Sequence, residues 1–392
     1  MDSGTMKIPI ARPWFDDTEE KAVLEVLRSG WIAQGEKVRR LEELFAAYVE
    51  RKYAVAVSSG TAALHLAVLT CKLGPGDEVL VPAFTWISTI NAVEYSGATP
   101  VFCDIDPFSF NIDVEEAKKR ITSRTRAILP VHQFGLGADL NSVMRLAAEK
   151  SLLVIEDAAC ALGTYVERKH VGTYGQIGCF SFHPRKSITT GEGGVLVTNE
   201  AKDYESFLQL RNIGAATTPG DRTGMADFGA LGFNYRMTDL QAAVGIAQFD
   251  KLSAILEKRR QCAKRYDDLI QGSSLQEWLQ MPVQPKAREH SYQSYVTKIK
   301  TSDRSAEHLN AMREKRNDLI ARLAVEGIQA RPGTHAPPFL SYYRNKYQTH
   351  LQDYPHALEA EWLTIALPLY PQMTEGDQEL VCSRLQSLWT GT

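Results

Sequence analysis

Cysteine is sparse and unpatterned in this chain of 392 residues. The six cysteines, at 71, 103, 160, 179, 262 and 382, form no C-x-x-C pair, and several lie in apolar runs. This argues against a disulfide scaffold or a zinc framework, so reduced thiols and no metal are expected. No apolar run approaches the roughly 18 residues of a membrane span. No signal-type segment is visible, and Met6-Lys7-Ile8-Pro9 looks like a second start after a tag-like remnant, so a cytoplasmic protein is expected. An excess of one charge is also missing. Lys and Arg total 44 against 47 Asp and Glu, a net charge of −3, with no basic tract to attract nucleic acid. Gly135-Leu136-Gly137 lacks the third glycine of a dinucleotide fingerprint, and there is no G-x-x-x-x-G-K-[ST] loop for a nucleotide triphosphate. Neither an internal repeat nor a low-complexity tract interrupts the chain.

What is present is centred on Ser181–Gly194, S-F-H-P-R-K-S-I-T-T-G-E-G-G. Apolar runs lead into and out of this polar loop, which carries one lysine, Lys186. A lysine held between two strands loses water, and its amine becomes a nucleophile able to form a Schiff base. The plainer alternative is a solvated loop lysine.

Three other stretches argue against that alternative. Ser58-Ser59-Gly60-Thr61-Ala62-Ala63-Leu64 follows a strand-like run and opens a helical one, the arrangement that offers backbone N–H groups to a phosphate. Leu152–Asp157 is a buried-type strand ending in acid, and a carboxylate there can pair with a protonated ring nitrogen; a helix cap or structural ion pair is the alternative. Phe84-Thr85-Trp86 offers an aromatic face, or simply core packing. Phosphate cradle, aromatic plate, carboxylate and lysine together describe a pyridoxal phosphate site.

With those pieces in place, the sequence resembles the DegT-type sugar aminotransferases of the aspartate aminotransferase superfamily. The resemblance runs from about Ile8 to the C-terminus. Its most specific motifs are S-G-T-A-A-L at Ser59–Leu64, E-D-A-A at Glu156–Ala159, S-F-H-P-R-K with G-E-G-G, and G-F-N-Y-R-M-T-D at Gly232–Asp239. It implies a homodimer with shared active sites, pyridoxal 5'-phosphate on Lys186, and amino transfer, with L-glutamate as donor, onto a nucleotide-linked ketosugar. Asp157 would face the ring nitrogen and Trp86 stack on the ring. Gly60, Thr61 and Ser181 would bind the phosphate, and Asn234 would reach it from the neighbouring subunit; an asparagine in a turn before a helix is the alternative. Cys160 stands three residues after the acid, where many relatives carry Gln or His near the cofactor's phenolic oxygen; a thiol is a poorer hydrogen-bond partner, and plain packing is the alternative. Trp31, Gln34, His183 and His335 are candidate substrate contacts. A packed turn for Trp31 and Gln34 and a surface position for His335 are the alternatives. Gln133 lies near the cofactor by the same resemblance, though a structural turn suits it better.

Seven strand-like runs, Tyr53–Val57, Val79–Val81, Pro100–Cys103, Ala127–Val131, Leu152–Ile155, Gly178–Phe182 and Val195–Thr198, are mostly separated by helical segments. The expected fold is α/β: a large domain, residues 1–250, with a mostly parallel seven-stranded sheet flanked by helices, and a smaller C-terminal α+β domain, residues 251–392. Ligands in such sheets gather at the strands' C-terminal ends, where Gly60, Trp86, Asp157 and Lys186 all fall. Asp16 or Asp17 is expected to cap a helix through Ser29, and one long helical run is expected from Thr238 or Asp239 to about Leu269. Thr374 and Asp377 fit a capping box. Gly214–Gly229 reads as a long loop, a candidate lid. Two rivals remain at this level. One is a pyridoxal phosphate-dependent sugar dehydratase or lyase, in which relatives replace the lysine with histidine; His183 lies outside that position. The other is a non-catalytic regulatory protein on the same fold, which would be expected to lose the lysine or gain a DNA-binding segment.

Overall fold

The computed structural model describes residues 7–216 and 227–390. Most of the Gly214–Gly229 loop, expected as a lid, lies outside the described residues. Its described flanks meet where Ala216 N donates to Asp227 O at 2.7 Å.

All seven expected strands form one sheet: β1 (Tyr53–Val57), β2 (Glu78–Pro82), β3 (Thr99–Cys103), β4 (Thr125–Ile128), β5 (Leu153–Asp157), β6 (Ile177–Ser181) and β7 (Gly194–Thr198). Their order is β1-β7-β6-β5-β4-β2-β3. β7 runs antiparallel to both neighbours, and the other pairs are parallel. The strands are apolar on both faces because helices cover both. Val55 and Val57 join one buried cluster while Ala54 and Ala56 join another, and Leu80 lies opposite Val79 and Val81. That is the period-2 alternation of a strand buried on both sides.

Helix starts follow local chemistry. Asp16 caps α1 (Asp17–Ser29), closing a capping box with Glu19. α2 (Glu36–Tyr48) has no cap of its own from Gly35. Instead Asp239, distant in sequence, accepts from Gly35 N at 2.8 Å and Val38 N at 3.0 Å. Ser59 caps α3 (Gly60–Thr70), accepting from Ala62 N at 3.0 Å. Trp86 precedes α4 (Ile87–Tyr95) without a side-chain cap. The long helical run expected after Thr238 is two helices, Asp239–Asp250 and Leu252–Gln271, meeting at Lys251. Lys251 Nζ bonds Glu19 at 2.6 Å and Asp16 at 3.1 Å, so the break is tied to the start of α1.

A three-stranded antiparallel sheet, Leu279–Gln280, Tyr295–Ile299 and Thr364–Leu367, anchors the C-terminal region. It shares a buried cluster with the helix Leu252–Gln271, with Ala306–Val325 and with Ile8 from the other end of the chain. The final helix, Glu375–Thr390, begins with the expected reciprocal Thr374–Asp377 bonds.

Candidate active site

The C-terminal end of β6 passes directly against the N-terminus of α3. A Cβ on Gly60 would lie 2.8 Å from Ser181 Cβ, and one on Gly194 would lie 2.8 Å from Gly60 N. Only glycine permits that approach, and it leaves the first N–H groups of α3 beside the Ser181 hydroxyl. Backbone donors, a hydroxyl and a helix dipole at one point make an anion cradle. Thr61 Oγ1 donates to Ser88 Oγ at 2.8 Å, joining the cradle to α4.

Asp157 ends β5 and is almost fully buried. Thr89 Oγ1 donates to its Oδ2 at 2.8 Å, and Ala159 N donates to Oδ1 at 3.1 Å. Thr89 has one proton and gives it to Asp157, so Thr85 Oγ1, 2.9 Å away, donates to Thr89. Burial raises the Asp157 pKa above its ordinary value, and the bonds from Thr89 and Ala159 and the Lys186 charge only partly offset this. A carboxyl with raised proton affinity would suit sharing a proton with a basic ring nitrogen placed beside it.

The neighbouring Glu156 has a different task. Its Oε1 accepts from Tyr174 N and Gly175 N, both at 2.7 Å, and its Oε2 accepts from Gly172 N at 2.7 Å and lies 3.1 Å from His132 Nε2. Ala138 N donates to His132 Nδ1 at 3.1 Å, so the ring proton sits on Nε2 and goes to Glu156. Burial pushes the Glu156 carboxyl up, but these donors outweigh it and hold it below the ordinary range. Gln133 is buried, its amide donating to Phe84 O at 2.6 Å, which fits a structural turn.

Lys186 lies in the loop after β6. Lys186 N donates to His183 O at 2.8 Å, and Arg185 N to His183 Nδ1 at 3.3 Å, so His183 braces the turn. Below it, fully buried Phe182 meets Phe45 edge-on at 5.7 Å, which fixes the base of the loop in the core. Lys186 Nζ lies 3.1 Å from Cys160 Sγ. Trp86 keeps 51% of its surface exposed, leaving ring area open for a ligand, and its ring centre is 5.7 Å from that of His335. Thr85 N donates to His335 O at 2.9 Å. His335 Nδ1 is 3.9 Å from Glu361, whose carboxyl burial pushes up.

Gly60, Thr61, Trp86, Asp157, Cys160, Ser181, His183, Lys186 and His335 are thus linked by short chains of contacts at the C-terminal ends of the parallel strands. Trp31, Gln34 and Asn234 do not join them through any hydrogen bond or ring contact among the described residues. Trp31 is exposed and donates to Gln34 O at 3.2 Å; Asn234 is exposed next to a backbone bridge to Asn212. Sequence reasoning missed Thr89, Ser88 and Glu361. Thr85 and Thr89 stand four apart at the start of α4, the only local signal that they share a face.

These residues fit pyridoxal phosphate: a cradle that a Cβ would fill, a buried acid, an open aromatic face and an amine. The comparisons agree. The family model for DegT/DnrJ/EryC1/StrS aminotransferases matches residues 13–386. The GDP-perosamine synthase of Escherichia coli O157:H7 is 35% identical over 384 residues, covering 98% of this chain and 99% of that protein. Among solved structures, a protein described as a sugar aminotransferase, Spr1654 from Streptococcus pneumoniae, superposes in its PLP-form with a TM-score of 0.89 at 27% identity, covering 98% of this chain and 99% of that one. Helicobacter pylori PseC, an aminotransferase involved in pseudoaminic acid biosynthesis, gives 0.89 at 25% identity, covering 98% and 100%. The chain belongs to the DegT/DnrJ/EryC1/StrS aminotransferase family and is a pyridoxal phosphate-dependent transaminase.

Proposed function

We propose that this chain moves an amino group from L-glutamate to a nucleotide-linked ketosugar, and that it works as a homodimer. The observation that carries the chemistry is Lys186 Nζ, 3.1 Å from Cys160 and close enough to Asp157 to lower its proton affinity. The sugar substrate is supported by the likeness to a GDP-perosamine synthase over nearly the whole chain.

Pyridoxal phosphate, when bound, supplies the electrophilic carbon and electron-withdrawing ring on which amino transfer runs. The chain's own residues do the rest. Gly60 and Thr61 at the start of α3, with Ser181, would bind its phosphate. Asp157, steadied by Thr89, would hold a proton at the ring nitrogen. Trp86 would cover one ring face, and Cys160 would sit beside the phenolic oxygen. Lys186 would hold the cofactor, then take the donor's α-proton and return it as general base and acid. Trp31, Gln34, His183 and His335 are proposed to contact substrate. Asn234 is proposed to complete the phosphate site of a second copy; its exposure on this chain suits that role. Six free cysteines suit a reducing compartment such as the cytoplasm. No helix among the described residues is long and apolar enough to cross a membrane.

The test is the visible absorption of the protein with pyridoxal phosphate, before and after L-glutamate, followed by nucleotide-linked ketosugars beginning with a GDP-linked one. Glutamate should bleach the band and the right ketosugar restore it. A band indifferent to glutamate would point to another donor or to dehydration. The absence of any band in wild type, with Lys186→Ala identical to it, would sink the enzyme reading.

A further inference from the structure

Arg259, on the helix Leu252–Gln271, is 2% exposed, and it has no carboxylate partner among the described residues. Burying a guanidinium without a counter-ion is costly unless its N–H groups are otherwise occupied. Here they are spent on backbone carbonyls. Nη1 donates to Tyr292 O at 3.2 Å, Gln293 O at 3.3 Å and Leu369 O at 3.4 Å. Nη2 donates to Lys186 O at 3.4 Å. Nε is buried without a hydrogen-bond partner among the described residues. Burial pulls the Arg259 pKa down only to about 10, so it remains a cation at neutral pH.

The adjacent carbonyl is held from the same side. Gln293 Nε2 donates to Arg185 O at 2.7 Å. Two consecutive carbonyls of the lysine loop are therefore fastened to the C-terminal region, one by Arg259 and one by Gln293. Between His183 and Thr190 the other backbone ties are local: Lys186 N to His183 O, Arg185 N to His183 Nδ1, and Thr189 and Thr190 to Phe182 O, while Gln241 Nε2 holds the far end of the loop at Glu192 O, 2.7 Å away. A peptide unit is planar, so fixing the Lys186 carbonyl fixes the orientation of the unit that follows its Cα and restricts where the side chain can point.

We infer that Arg259 is a positioning residue for Lys186. Its guanidinium clamps the Lys186 carbonyl to the Tyr292–Gln293 and Leu369 backbone, so that Nζ is already directed at the cofactor site before any ligand binds. This rests on the reading of Lys186 as the cofactor lysine. The C-terminal region thus holds the reactive amine in place, and does more than close the pocket. Gln293 assists by holding Arg185.

The structure also supplies a matched control. Arg316 is 3% exposed, and its Nη1 donates to backbone carbonyls at Thr364 (2.8 Å) and Glu361 (3.2 Å), with no bond to the lysine loop. Removing it costs the same kind of buried interaction without touching Lys186.

The experiment compares wild type with Arg259→Met, Arg259→Lys, Gln293→Leu and Arg316→Met. One readout is amide hydrogen exchange of the cofactor-free protein across residues 183–190. The other is the rate at which added pyridoxal phosphate becomes attached to Lys186, followed by its visible absorption. Misplacing a reacting group by about 1 Å costs up to about a hundredfold in rate. Arg259→Met should speed exchange in this loop and slow attachment by about tenfold or more. Gln293→Leu should do the same to a smaller degree, and Arg259→Lys should recover part of the loss. Arg316→Met should lower the melting temperature and leave both readouts at the wild-type value. Wild-type exchange and attachment in folded Arg259→Met, or equal slowing in Arg316→Met, overturns the inference. If Arg259→Met does not fold, Arg259→Lys and Gln293→Leu decide, and wild-type behaviour in both overturns it. Wild-type protein that never attaches pyridoxal phosphate sinks the Lys186 reading itself. Normal wild-type attachment with unaffected variants sinks only the positioning role.

Discussion

Glu156 and Asp157 are adjacent on β5 yet serve opposite faces of the sheet. Glu156 collects three backbone N–H groups and His132, whereas Asp157 meets Thr89 on the side of the Lys186 loop. Their proton affinities move apart accordingly: Glu156 is held below its ordinary value and Asp157 is raised above it.

The signs of their stability contributions therefore differ. A depressed carboxyl stabilises the fold above its unfolded pKa and loses that contribution as pH falls through its folded value. A raised carboxyl destabilises the fold as pH rises from the unfolded value through the folded one. Glu156→Gln leaves buried N–H donors unsatisfied and should cost about 1–3 kcal/mol at neutral pH, with the deficit shrinking as pH falls below 4.5. Asp157→Asn in the cofactor-free protein should instead cost least, or stabilise, above pH 3.8. Denaturant melts across pH check both; parallel curves for the two variants would contradict the assignment.

If Lys186 holds the cofactor as proposed, Lys186→Ala should lose up to about 10⁴-fold in turnover, since it would remove the general base and acid together with the point of attachment. Borohydride treatment followed by peptide mass analysis should label the wild-type peptide containing Lys186 and no peptide of the variant. Label on another lysine would move the site.

Gly60→Ala forces a methyl into a 2.8 Å approach to Ser181 Cβ. The strain and lost cradle depth should cost about 1–3 kcal/mol in cofactor binding, or about ten- to a hundredfold in Kd. Equilibrium titration with pyridoxal phosphate measures this. The fold should survive, because the clash is confined to the β6–α3 contact.

Alkylation distinguishes Cys160 from the other thiols. Burial pushes Cys71, Cys103 and Cys382 up to about 12 and raises Cys179 and Cys262 as well. Iodoacetamide at pH 8 should modify Cys160 first, and the added group beside Lys186 should block cofactor attachment. Saturation with pyridoxal phosphate beforehand should protect Cys160. Labelling that ignores the cofactor would place this thiol outside the site.

The seven strands, the phosphate-type turn, the acid at the end of β5 and the lysine loop could be read from the sequence because each depends on local pattern. Period-2 burial, a serine before a helix and a glycine-rich polar loop are written within a few neighbouring residues. The Asp16 and Thr374 caps belong to the same class. Sequence reading could not find the cap that Asp239 gives α2, the break at Lys251, or the Thr89 hydroxyl on Asp157. Each joins residues far apart in the chain, and no local period records a partner tens to hundreds of positions away. The sheet order β1-β7-β6-β5-β4-β2-β3 is decided in the same way, by which helices cover which faces. Residue types and local spacing thus determined which chemistry this chain carries. Tertiary packing decided that Glu156 collects backbone donors while Asp157 meets Thr89 on the side of the Lys186 loop, that Cys160 lies beside Lys186, and that a buried arginine from a distant helix bonds the lysine's own carbonyl.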